Sequence, residues 1–293
     1  MRRKSVRKAD AIFTSDWHIR EDTPTCFTGD FAKEQWDSLQ FVSDLQIKHD
    51  CPVFHAGDLF HHWKPSPWLL SKTMEFLPNQ FYTIYGQHDL PQHNWELRDK
   101  SGIYTLERAG KLQVLDGCHY GQDPSENSLF INGKYKTYDI LVWHHLTYQQ
   151  KPFPGAEGGN ARGLLRKYPQ FDVILTGDNH TPFVEEYKGR VLVNPGSLTR
   201  QTASQANHKP RVYLWYSDTN TVIPVYIPIS ENTITRDHIE KTEERDARID
   251  AFISQLNNDW EVALSFEENL KQFEKTNKTK PQVMQIIYKA IGA

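Results

Sequence analysis

The sequence predicts an α/β fold, a layered β-sandwich flanked by helices and followed by a C-terminal helical appendage. Short apolar runs alternate with amphipathic helical patterns over residues 11–89, and later apolar runs are joined by hairpin turns. Residues 233–293 are instead charged and helical in period. Alternating strands and helices are typical of sheets that pack helices on their outer faces.

The first part of the chain is predicted to run β-α-β-α-β. Residues 30–49 carry apolar side chains at helical spacing after Asp30, a candidate N-cap. Residues 66–77 open with Ser-Pro, which is a helix start signal. Three apolar runs that end in polar residues predict strands: AIFTSD (11–16), PVFHAGD (52–58) and FYTIYGQHD (81–89).

Further strands are predicted downstream, and two pairs of them are joined by turn signals at 188–189 and 218–220. The loop at 148–163 is rich in glycine and proline and is long enough to suggest a function. The later strand segments are KLQVL (111–115), SLFING (128–133), YDILVWHH (138–145), FDVILTGD (171–178), FVEEYKGRVLVNPGS (183–197) and RVYLWYSDTNTVIPVYI (211–227).

The chain is expected to divide into three segments. Residues 1–10 form a basic arm, either solvated or in contact with phosphate, and residues 11–232 form the sheet-bearing domain. Residues 233–293 form a helical tail that either packs on the sheet edge or docks a partner. Apolar residues at helical spacing suggest an amphipathic stripe in this tail: Ile239, Ile249, Phe252, Ile253 and Leu256.

The bulk composition excludes several classes of protein. The net charge of −3 means that nucleic-acid binding would need a local basic patch. No apolar run approaches the roughly 18 residues that span a bilayer, so no membrane association is expected. The three cysteines are far apart, which fits a reducing compartment and predicts a cytoplasmic protein.

Polar residues able to bind metals follow five of the predicted strands. Open α/β sheets bind ligands outside the carboxyl ends of their strands, so we expect these side chains to converge. Because His145 follows His144 directly, the assignment of the ligand there is open by one residue. The candidate site residues are Asp16, His18, Asp58, Gln87, His88, Asp89, His144, Asp178 and His180.

The ligand types indicate which ions would bind. A ligand set of carboxylates, imidazoles and an amide oxygen suits a bound Mn²⁺, Fe²⁺ or Zn²⁺ ion. It does not suit a structural zinc site, which would use cysteine thiolates. The residues outnumber the ligands of one ion, which favours two ions sharing one aspartate. Such a pair clamps the attacking and leaving oxygens of a displacement at phosphorus.

The ordered series DWH, GD, GQHD, H and GDNH resembles the calcineurin-like metallophosphoesterase superfamily, whose pattern is DxH, GD, GNH(D/E), H and GHxH. The resemblance covers residues 11–200. GDLFHHWKPS (57–66) and VNPGSLTR (193–200) are similar to SbcD-type DNA repair exonucleases, phage-encoded members in particular. The resemblance therefore implies a metal-dependent nuclease that works with an SMC-like ATPase.

The resemblance also implies roles for the residues. Asp58 would bridge two divalent ions, His88 would stabilise charge or protonate the leaving oxygen, and Asp89 would orient His88 through its other ring nitrogen. Mn²⁺ is the expected ion, with Fe²⁺, Mg²⁺ and Zn²⁺ as alternatives. The first metal would be held by Asp16, His18 and His180, and the second by Gln87, His144 and Asp178.

Two residues depart from the family pattern, and both fall on the second metal. Gln87 stands where the family has Asn, and Asp178 stands where it has His. The two changes could compensate each other, shift the preference towards an oxygen-loving ion, or leave the second site weak. The sequence therefore predicts an altered second site in an enzyme that is otherwise intact.

The expected function is hydrolysis of DNA phosphodiester bonds by a two-metal mechanism, as an exonuclease or endonuclease. One alternative is a phosphoesterase for small molecules or nucleotides, which would need a closed pocket rather than an open basic groove. Another is a weakened scaffold that binds DNA or an ATPase without cutting. The resemblance further implies an SbcC-like SMC-family ATPase partner, docked through the tail, and a homodimer.

A few other residues were weighed for roles near the site. His61 and His62 are expected to be loop residues or substrate contacts, and His119 is expected at the surface. A small basic cluster follows the Gly-rich loop and is either a solvated helix face or a phosphate contact. Its members are Arg162, Arg166 and Lys167.

Overall fold

The computed structural model describes residues 7–124, 129–133, 135–151, 155, 157–258, 266–277 and 279–291. It divides the chain into two compact units, Met1–Thr235 and Arg236–Ala293. The sequence analysis placed this boundary near residue 232. The first unit holds every strand of the described chain, and it confirms the predicted layered α/β fold.

The strands of the first unit lie at nearly all of the predicted positions. Within the described residues they are β1 (Ala11–Thr14), β2 (Val53–His55), β3 (Phe81–Thr83), β4 (Gln113–Val114), β5 (Leu129–Asn132), β6 (Thr137–Trp143), β7 (Thr147–Tyr148), β8 (Gly159–Asn160), β9 (Val173–Thr176), β10 (Phe183–Tyr187), β11 (Arg190–Asn194), β12 (Arg211–Tyr216) and β13 (Thr221–Tyr226). The sequence does not predict the short pair β7 and β8. β7 begins one residue before the predicted loop at 148–163, and β8 lies within that loop.

The helices include the two predicted in the first part of the chain. Asp30 accepts a hydrogen bond from the Lys33 N–H and Ser66 accepts one from the Leu69 N–H, so both predicted N-caps are confirmed. The helices of the described residues are α1 (Phe31–His49), α2 (Pro67–Phe76), α3 (Gly102–Arg108), α4 (Ala161–Lys167), α5 (Asp237–Asn258), α6 (Phe266–Thr276) and α7 (Pro281–Ile291).

Two sheets form the centre of the first unit. The six-stranded sheet has the order β13-β12-β1-β2-β3-β4, in which β1 to β4 are parallel. The five-stranded sheet has the order β10-β11-β9-β6-β5, in which β11, β9 and β6 are parallel. Parallel strands leave their carboxyl ends at one edge of each sheet, which is where the polar motifs lie.

The sheets pack face to face and are covered by helices on their outer faces. Phe13, Phe54 and Val142 belong to the core between the sheets. Ile12 and Val53 point the other way, into the core beneath α1 and α2. The outer core of the five-stranded sheet lies under α4. Because β1 and β2 are buried on both faces, their sequences are continuous apolar runs without alternation.

The predicted basic arm is anchored at its C-terminal end rather than fully solvated. Arg7 pairs with Asp218, and the Ala9 N–H donates to Nδ1 of His49 over 3.0 Å. The Asp10 carboxylate accepts the Ser217 N–H over 2.7 Å. Residues 1–6 lie outside the described residues. Ala9 is buried by these contacts, whereas Arg7, Lys8 and Asp10 are exposed. The described end of the arm is therefore anchored through its backbone and Asp10 while its basic side chains face solvent.

The second unit consists of α5, α6 and α7. Leu270, Phe273 and Met284 are buried within it, while Val283 and Ile286 are exposed. Ile249 of the predicted stripe is also exposed, and the side chains of Phe252, Ile253 and Leu256 lie outside the described residues. No helix among the described residues combines the length and apolar character needed to cross a bilayer.

A buried ion pair ties the end of the first unit to α1. The Arg200 guanidinium donates to Oε1 of Glu34 over 2.8 Å, to the Ser230 carbonyl over 2.7 Å and to Oγ1 of Thr233 over 2.9 Å. Glu34 in turn accepts the Ser230 N–H over 3.0 Å. Both charged side chains are almost fully buried. Each charge therefore depends on the other for its stability in the folded protein.

We expect Arg200→Met to lower the free energy of unfolding by about 3–5 kcal/mol, because Glu34 is then left buried without its partner. The double variant Glu34→Leu/Arg200→Met should lose less than the sum of the two single changes. Urea denaturation measures both. Asp37→Asn, which breaks an exposed pair with Lys33, is the matched control and should leave the free energy of unfolding nearly unchanged. Equal losses in the control and in Arg200→Met would contradict the prediction.

Candidate metal centre

The carboxyl ends of β1, β2, β3, β6 and β9 deliver their polar residues to one place. The segments after β1 and β2 run side by side, since the Asp16 N–H donates to the Gly57 carbonyl and the His18 N–H to the Asp58 carbonyl, both over 3.0 Å. The Asp178 N–H reaches across from the other sheet to Oδ1 of Asp16 over 3.0 Å. The predicted convergence of strand ends is thus present across both sheets.

Four of these residues have left-handed backbone conformations. The φ angles are 50° for Asp16, 45° for His18, 57° for Asp58 and 75° for Asp178. Residues other than glycine rarely adopt this backbone conformation, and each such residue costs on the order of 1 kcal/mol or more of folding free energy. The sharp turns that result bring each side chain back towards the strand ends, so the strain is concentrated where the polar groups meet.

Three glycines allow the strand ends to approach one another. A Cβ atom on Gly57 would lie 2.5 Å from Nδ1 of His144. A Cβ atom on Gly86 would overlap the Asp58 carboxylate, and one on Gly177 would overlap the Ala56 carbonyl. The glycines of AGD, YGQHD and TGDNH are therefore required by the close packing of this centre, and for Gly57 also by its φ of 92°.

The first cluster consists of Asp16, His18 and His180. The Nε2 atoms of the two histidines lie 3.0 Å apart, and each lies 4.0 Å from Oδ1 of Asp16. Oδ2 of Asp16 is buried without a hydrogen-bond partner among the described residues. Ligand atoms of all three residues lie close enough together to hold one metal ion.

The second cluster shares Asp16 with the first and adds Asp58 and His144. Oδ2 of Asp58 lies 3.7 Å from Nε2 of His18 and 3.6 Å from Nε2 of His144. This oxygen, too, is buried and lacks a hydrogen-bond partner within the described part of the chain. Asp16, Asp58 and His144 form a second group able to hold a metal. Unpartnered buried carboxylate oxygens flanked by imidazole nitrogens fit divalent cations well.

The two residues that depart from the family pattern contact each other. The Gln87 amide donates to Oδ1 of Asp178 over 2.6 Å, and its Oε1 lies 2.5 Å from Nε2 of His144. Nδ1 of His144 lies 2.6 Å from the Ala56 carbonyl, so both ring nitrogens lie beside an oxygen acceptor. When Nδ1 donates to that carbonyl, Nε2 and Oε1 of Gln87 both present lone pairs to the same space, and a cation bound beside the two atoms would satisfy them.

His144, rather than His145, belongs to the centre. The His144 ring is buried against the strand ends, whereas the His145 ring is stacked on Trp143 with the ring centroids 4.0 Å apart. The alternation of side chains at the end of β6 places consecutive residues on opposite faces, and this resolves the ambiguity left by the sequence.

His88 lies beside the two clusters. The backbone N–H of His88 donates to Oδ1 of Asp58 over 2.9 Å. Its ring packs edge to face on the His18 ring, with the ring centroids 4.9 Å apart. Nδ1 of His88 is 2.9 Å from the His61 carbonyl, to which it donates. Burial lowers the pKa of His88 below its ordinary value. The ring is therefore held as a neutral imidazole whose Nδ1 is already used.

The predicted role of Asp89 is wrong. Its carboxylate does not contact the His88 ring but accepts three backbone N–H groups, from Leu59 over 3.2 Å, Phe60 over 3.0 Å and Gly86 over 3.0 Å. Burial raises the pKa of Asp89 to about 6, and these bonds oppose the rise. Asp89 thus fastens the loop after β2 to the end of β3. The group that accepts a hydrogen bond from Nδ1 of His88 is the His61 carbonyl and not the Asp89 carboxylate.

The centre concentrates charge that the fold alone does not compensate. Burial, followed by the neighbouring Asp89 and Asp16 carboxylates, raises the pKa of Asp58 well above its ordinary value. Burial, followed by His180 and other imidazoles, lowers the pKa of His18 well below its ordinary value. Each group is pushed towards its neutral form, and bound divalent cations would restore the anionic carboxylates and the neutral ligating imidazoles.

Two residues near the centre, His61 and Asn194, have contacts that the sequence does not predict, and a third residue outside the centre, His119, is misplaced. His61 was treated as a loop residue or substrate contact, but its ring lies beside those of His18 and His88, and the three form a further group able to hold a metal. Asn194 at the end of β11 donates to the carbonyls of Asn179 and Thr181 over 2.6 and 2.9 Å and so holds the loop that carries His180.

His119 is the misplaced residue. It was expected at the surface, but it is buried, stacked on Trp95 with the ring centroids 4.2 Å apart. Its Nδ1 accepts the Tyr85 N–H over 3.0 Å. Burial lowers the pKa of His119 to about 4. The residue therefore supports the end of β3 as a neutral acceptor, a role that depends on a contact 34 residues away in sequence.

Two curated archaeal relatives carry the name DNA double-strand break repair protein Mre11. The chain is 30% identical over 177 residues to the Haloferax volcanii protein, a match that covers 55% of this chain and 38% of that one. It is 29% identical over 181 residues to the Halobacterium salinarum protein, covering 55% of this chain and 44% of that one. The chain thus spans less than half the length of these relatives.

One solved structure and one family model are also similar to this chain. An archaeal phosphodiesterase superposes with a TM-score of 0.42 at 13% identity, over 74% of this chain and 98% of that one. A family model described as the calcineurin-like phosphoesterase superfamily domain matches residues 11–215. Since that match takes in the strand ends and all the clustered residues described above, the chain belongs to the calcineurin-like phosphoesterase superfamily, as its motifs predicted.

Proposed function

We propose that this protein is a metal-dependent phosphodiesterase that hydrolyses DNA through two divalent cations. The observation that carries the proposal is the position of Oδ2 of Asp58, buried and unpartnered among the described residues, less than 4 Å from imidazole nitrogens of both clusters. A shared carboxylate is what two neighbouring cations require. We propose Mn²⁺ as the native ion, because the ligand set combines carboxylates, imidazoles and an amide oxygen.

The chain's own residues would divide the work between them. Asp16, His18 and His180 would hold one cation, and Gln87, His144 and Asp178 the other, with Asp58 between them. When bound, the cations would activate water and stabilise charge on the phosphate. His88 would face the leaving oxygen with Nε2, because the His61 carbonyl already fixes its Nδ1. Nε2 of the neutral ring holds a lone pair, so the ring would first take a proton from solvent and then donate it to the leaving oxygen. Asp89 would keep the loop that carries Asp58 in place.

Two features favour DNA over a small ester. The Mre11 relatives are named for repair of DNA double-strand breaks. The spaces beside the centre are open grooves, of about 610 and 430 Å³, whose linings include Asn179 in the first and His180 in the second. A polymer can pass along such grooves, whereas enzymes for small molecules usually enclose their substrates. A small-molecule phosphoesterase remains the rival that the first experiment separates.

The partners predicted from the sequence stay part of the proposal. The helical unit Arg236–Ala293 would be the segment that docks an SMC-family ATPase of SbcC type, and its exposed Val283 and Ile286 are apolar residues available for contact. A homodimer is likewise a proposal. The molar mass of the purified chain in solution tests the homodimer, and the molar mass of its mixture with the ATPase tests the docking.

Asp58→Asn is expected to abolish turnover while the fold stays intact. The amide keeps the oxygen that accepts the His88 N–H but replaces the charged oxygen between the clusters. Cleavage of linear single- and double-stranded DNA and of bis-p-nitrophenyl phosphate, with Mn²⁺, Mg²⁺ and chelator, measures the effect. Asp44→Asn, at an exposed carboxylate of α1, is the control and should keep the wild-type rate. A wild-type rate in Asp58→Asn would refute the shared-carboxylate assignment.

His88→Ala is expected to lower kcat by about 10²–10⁴-fold while both cations stay bound, because general acid catalysis contributes rate and not metal affinity. Metal content by mass spectrometry, beside the rate, separates the two roles. If the variant binds fewer cations than the wild-type protein, His88 is a ligand and its proposed role is wrong.

Metal removal should lower the melting temperature. The raised pKa of Asp58 means that its ionised form is disfavoured in the folded state, so above pH of about 4 it reduces the stability of the metal-free protein. We expect chelator to lower the Tm of the wild-type protein and Mn²⁺ to restore it. Asp58→Asn should have the higher Tm in chelator and respond less to Mn²⁺. A Tm of the wild-type protein that chelator does not change would argue against a resident cation.

A further inference from the structure

A group of cations surrounds Tyr187 on the outer face of the five-stranded sheet. The ring centroid lies 5.2 Å from the guanidinium of Arg166, 5.5 Å from Nζ of Lys188, 5.7 Å from Arg162 and 5.8 Å from Arg190. Lys167 lies next to the group, over the Tyr168 ring at 4.9 Å. Such a density of positive charge stands out in a chain whose net charge is −3.

The charges of this group, which we call the Tyr187 patch, are only partly compensated. Arg162 approaches Glu185 at 3.8 Å, and Arg190 donates to the Tyr168 carbonyl over 3.0 Å. In the portion of the chain that the structure describes, neither Arg166 nor Lys188 lies within ion-pairing distance of a carboxylate. Both residues are exposed. The patch therefore presents two exposed cations, which contact the Tyr187 side chain and have no carboxylate partner among the described residues, to an anion from solution.

The electrostatic environment of Tyr187 reflects this charge. Partial burial acts to raise the pKa of the phenol, but Lys188 and Arg166 outweigh it, and the pKa is lowered. Mutual repulsion of the cations is reduced by the tyrosine ring but not cancelled. An anion bound between them would relieve that repulsion.

A groove lies between Arg162 of the Tyr187 patch and the loop that carries Asp178 and His180. Arg162 lines one part of this space of about 610 Å³, and Asn179, the residue between Asp178 and His180, lines another. The walls are tied down by side-chain amides: Gln149 donates to the Val184 carbonyl over 3.1 Å and Asn160 donates to the Gln149 carbonyl over 2.9 Å. The groove is therefore preformed and polar, as befits a backbone-tracking surface.

We propose that the Tyr187 patch and this groove bind the sugar-phosphate backbone of a DNA strand that extends from the metal centre, an inference that rests on the proposed function. Guanidinium groups bind phosphate through paired hydrogen bonds, and a lysine adds a point charge. Arg162 joins the groove to the patch, so one strand contacts both. The patch supplies affinity without reading sequence, since it offers charge and no base-specific contact.

The test is the charge reversal Arg166→Glu/Lys188→Glu, with Arg166→Gln/Lys188→Gln as a milder second variant. Lys100→Glu/Lys111→Glu is the matched control, since it makes the same change of charge at exposed lysines beside the six-stranded sheet. Fluorescence anisotropy measures binding of a labelled single-stranded oligonucleotide across a range of salt concentrations. Metal content and Tm report that each variant is folded with its centre intact.

We expect the reversal to weaken DNA binding about tenfold or more. The salt slope should fall by about 1.4, because each phosphate contact contributes about 0.7 on a single strand. The glutamine variant should show an intermediate loss, and the control should bind as the wild-type protein does. If reversal leaves the affinity and the slope unchanged while the wild-type protein binds and cuts DNA, the patch assignment is wrong and the proposed function stands.

Two further outcomes would also overturn the assignment. Polyglutamate that competes as well as DNA of equal charge would show a surface for acidic proteins instead. A wild-type protein that hydrolyses bis-p-nitrophenyl phosphate but neither binds nor cuts DNA would remove the proposed substrate, and the patch assignment with it. Failure of the patch assignment alone is distinguishable from failure of the proposed function, because only in the latter does the wild-type protein neither bind nor cut DNA.

Discussion

The close approach of buried carboxylates across two sheets is the constraint on which the rest of this structure depends. Asp16 and Asp58 end strands of one sheet, Asp178 ends a strand of the other, and glycines at 57, 86 and 177 let them meet. Packing alone would not gather like charges, because each buried carboxylate loses hydration. Bound cations would stabilise such a centre, so the proposed metal binding is coupled to the stability of the fold.

The surrounding structure holds the centre in place. Backbone strain at Asp16, His18, Asp58 and Asp178 needs neighbours that fix each turn. Backbone bonds between the segments after β1 and β2, with the three N–H groups that Asp89 accepts, supply this support. Because these bonds use backbone groups and the Asp89 carboxylate rather than the ligating side-chain atoms, they fix the positions of the ligands and lower the cost of binding a cation.

The sequence predicted the elements whose signal is local. Periodicity and capping residues gave α1, α2 and most strands, and strand-end motifs gave the residues that converge. It missed α3 and α4, which are 7 residues each and too short for a clear period. It also misassigned Asp89 and His119, since their partners are Leu59, Phe60 and Tyr85, contacts about 30 residues away that no local pattern encodes.

The two departures from the family pattern are best understood as one coupled change. Gln87 is one methylene longer than Asn, and Asp178 is shorter than His, so the longer amide reaches the shorter carboxylate and donates to it over 2.6 Å. That bond directs the amide oxygen towards His144. The oxygen is therefore presented to the same space as the imidazole, next to an anionic group. Together the two residues place an amide oxygen next to His144 and a carboxylate beside that amide. The pair therefore argues for a second cation site altered towards oxygen ligands rather than one lost by decay.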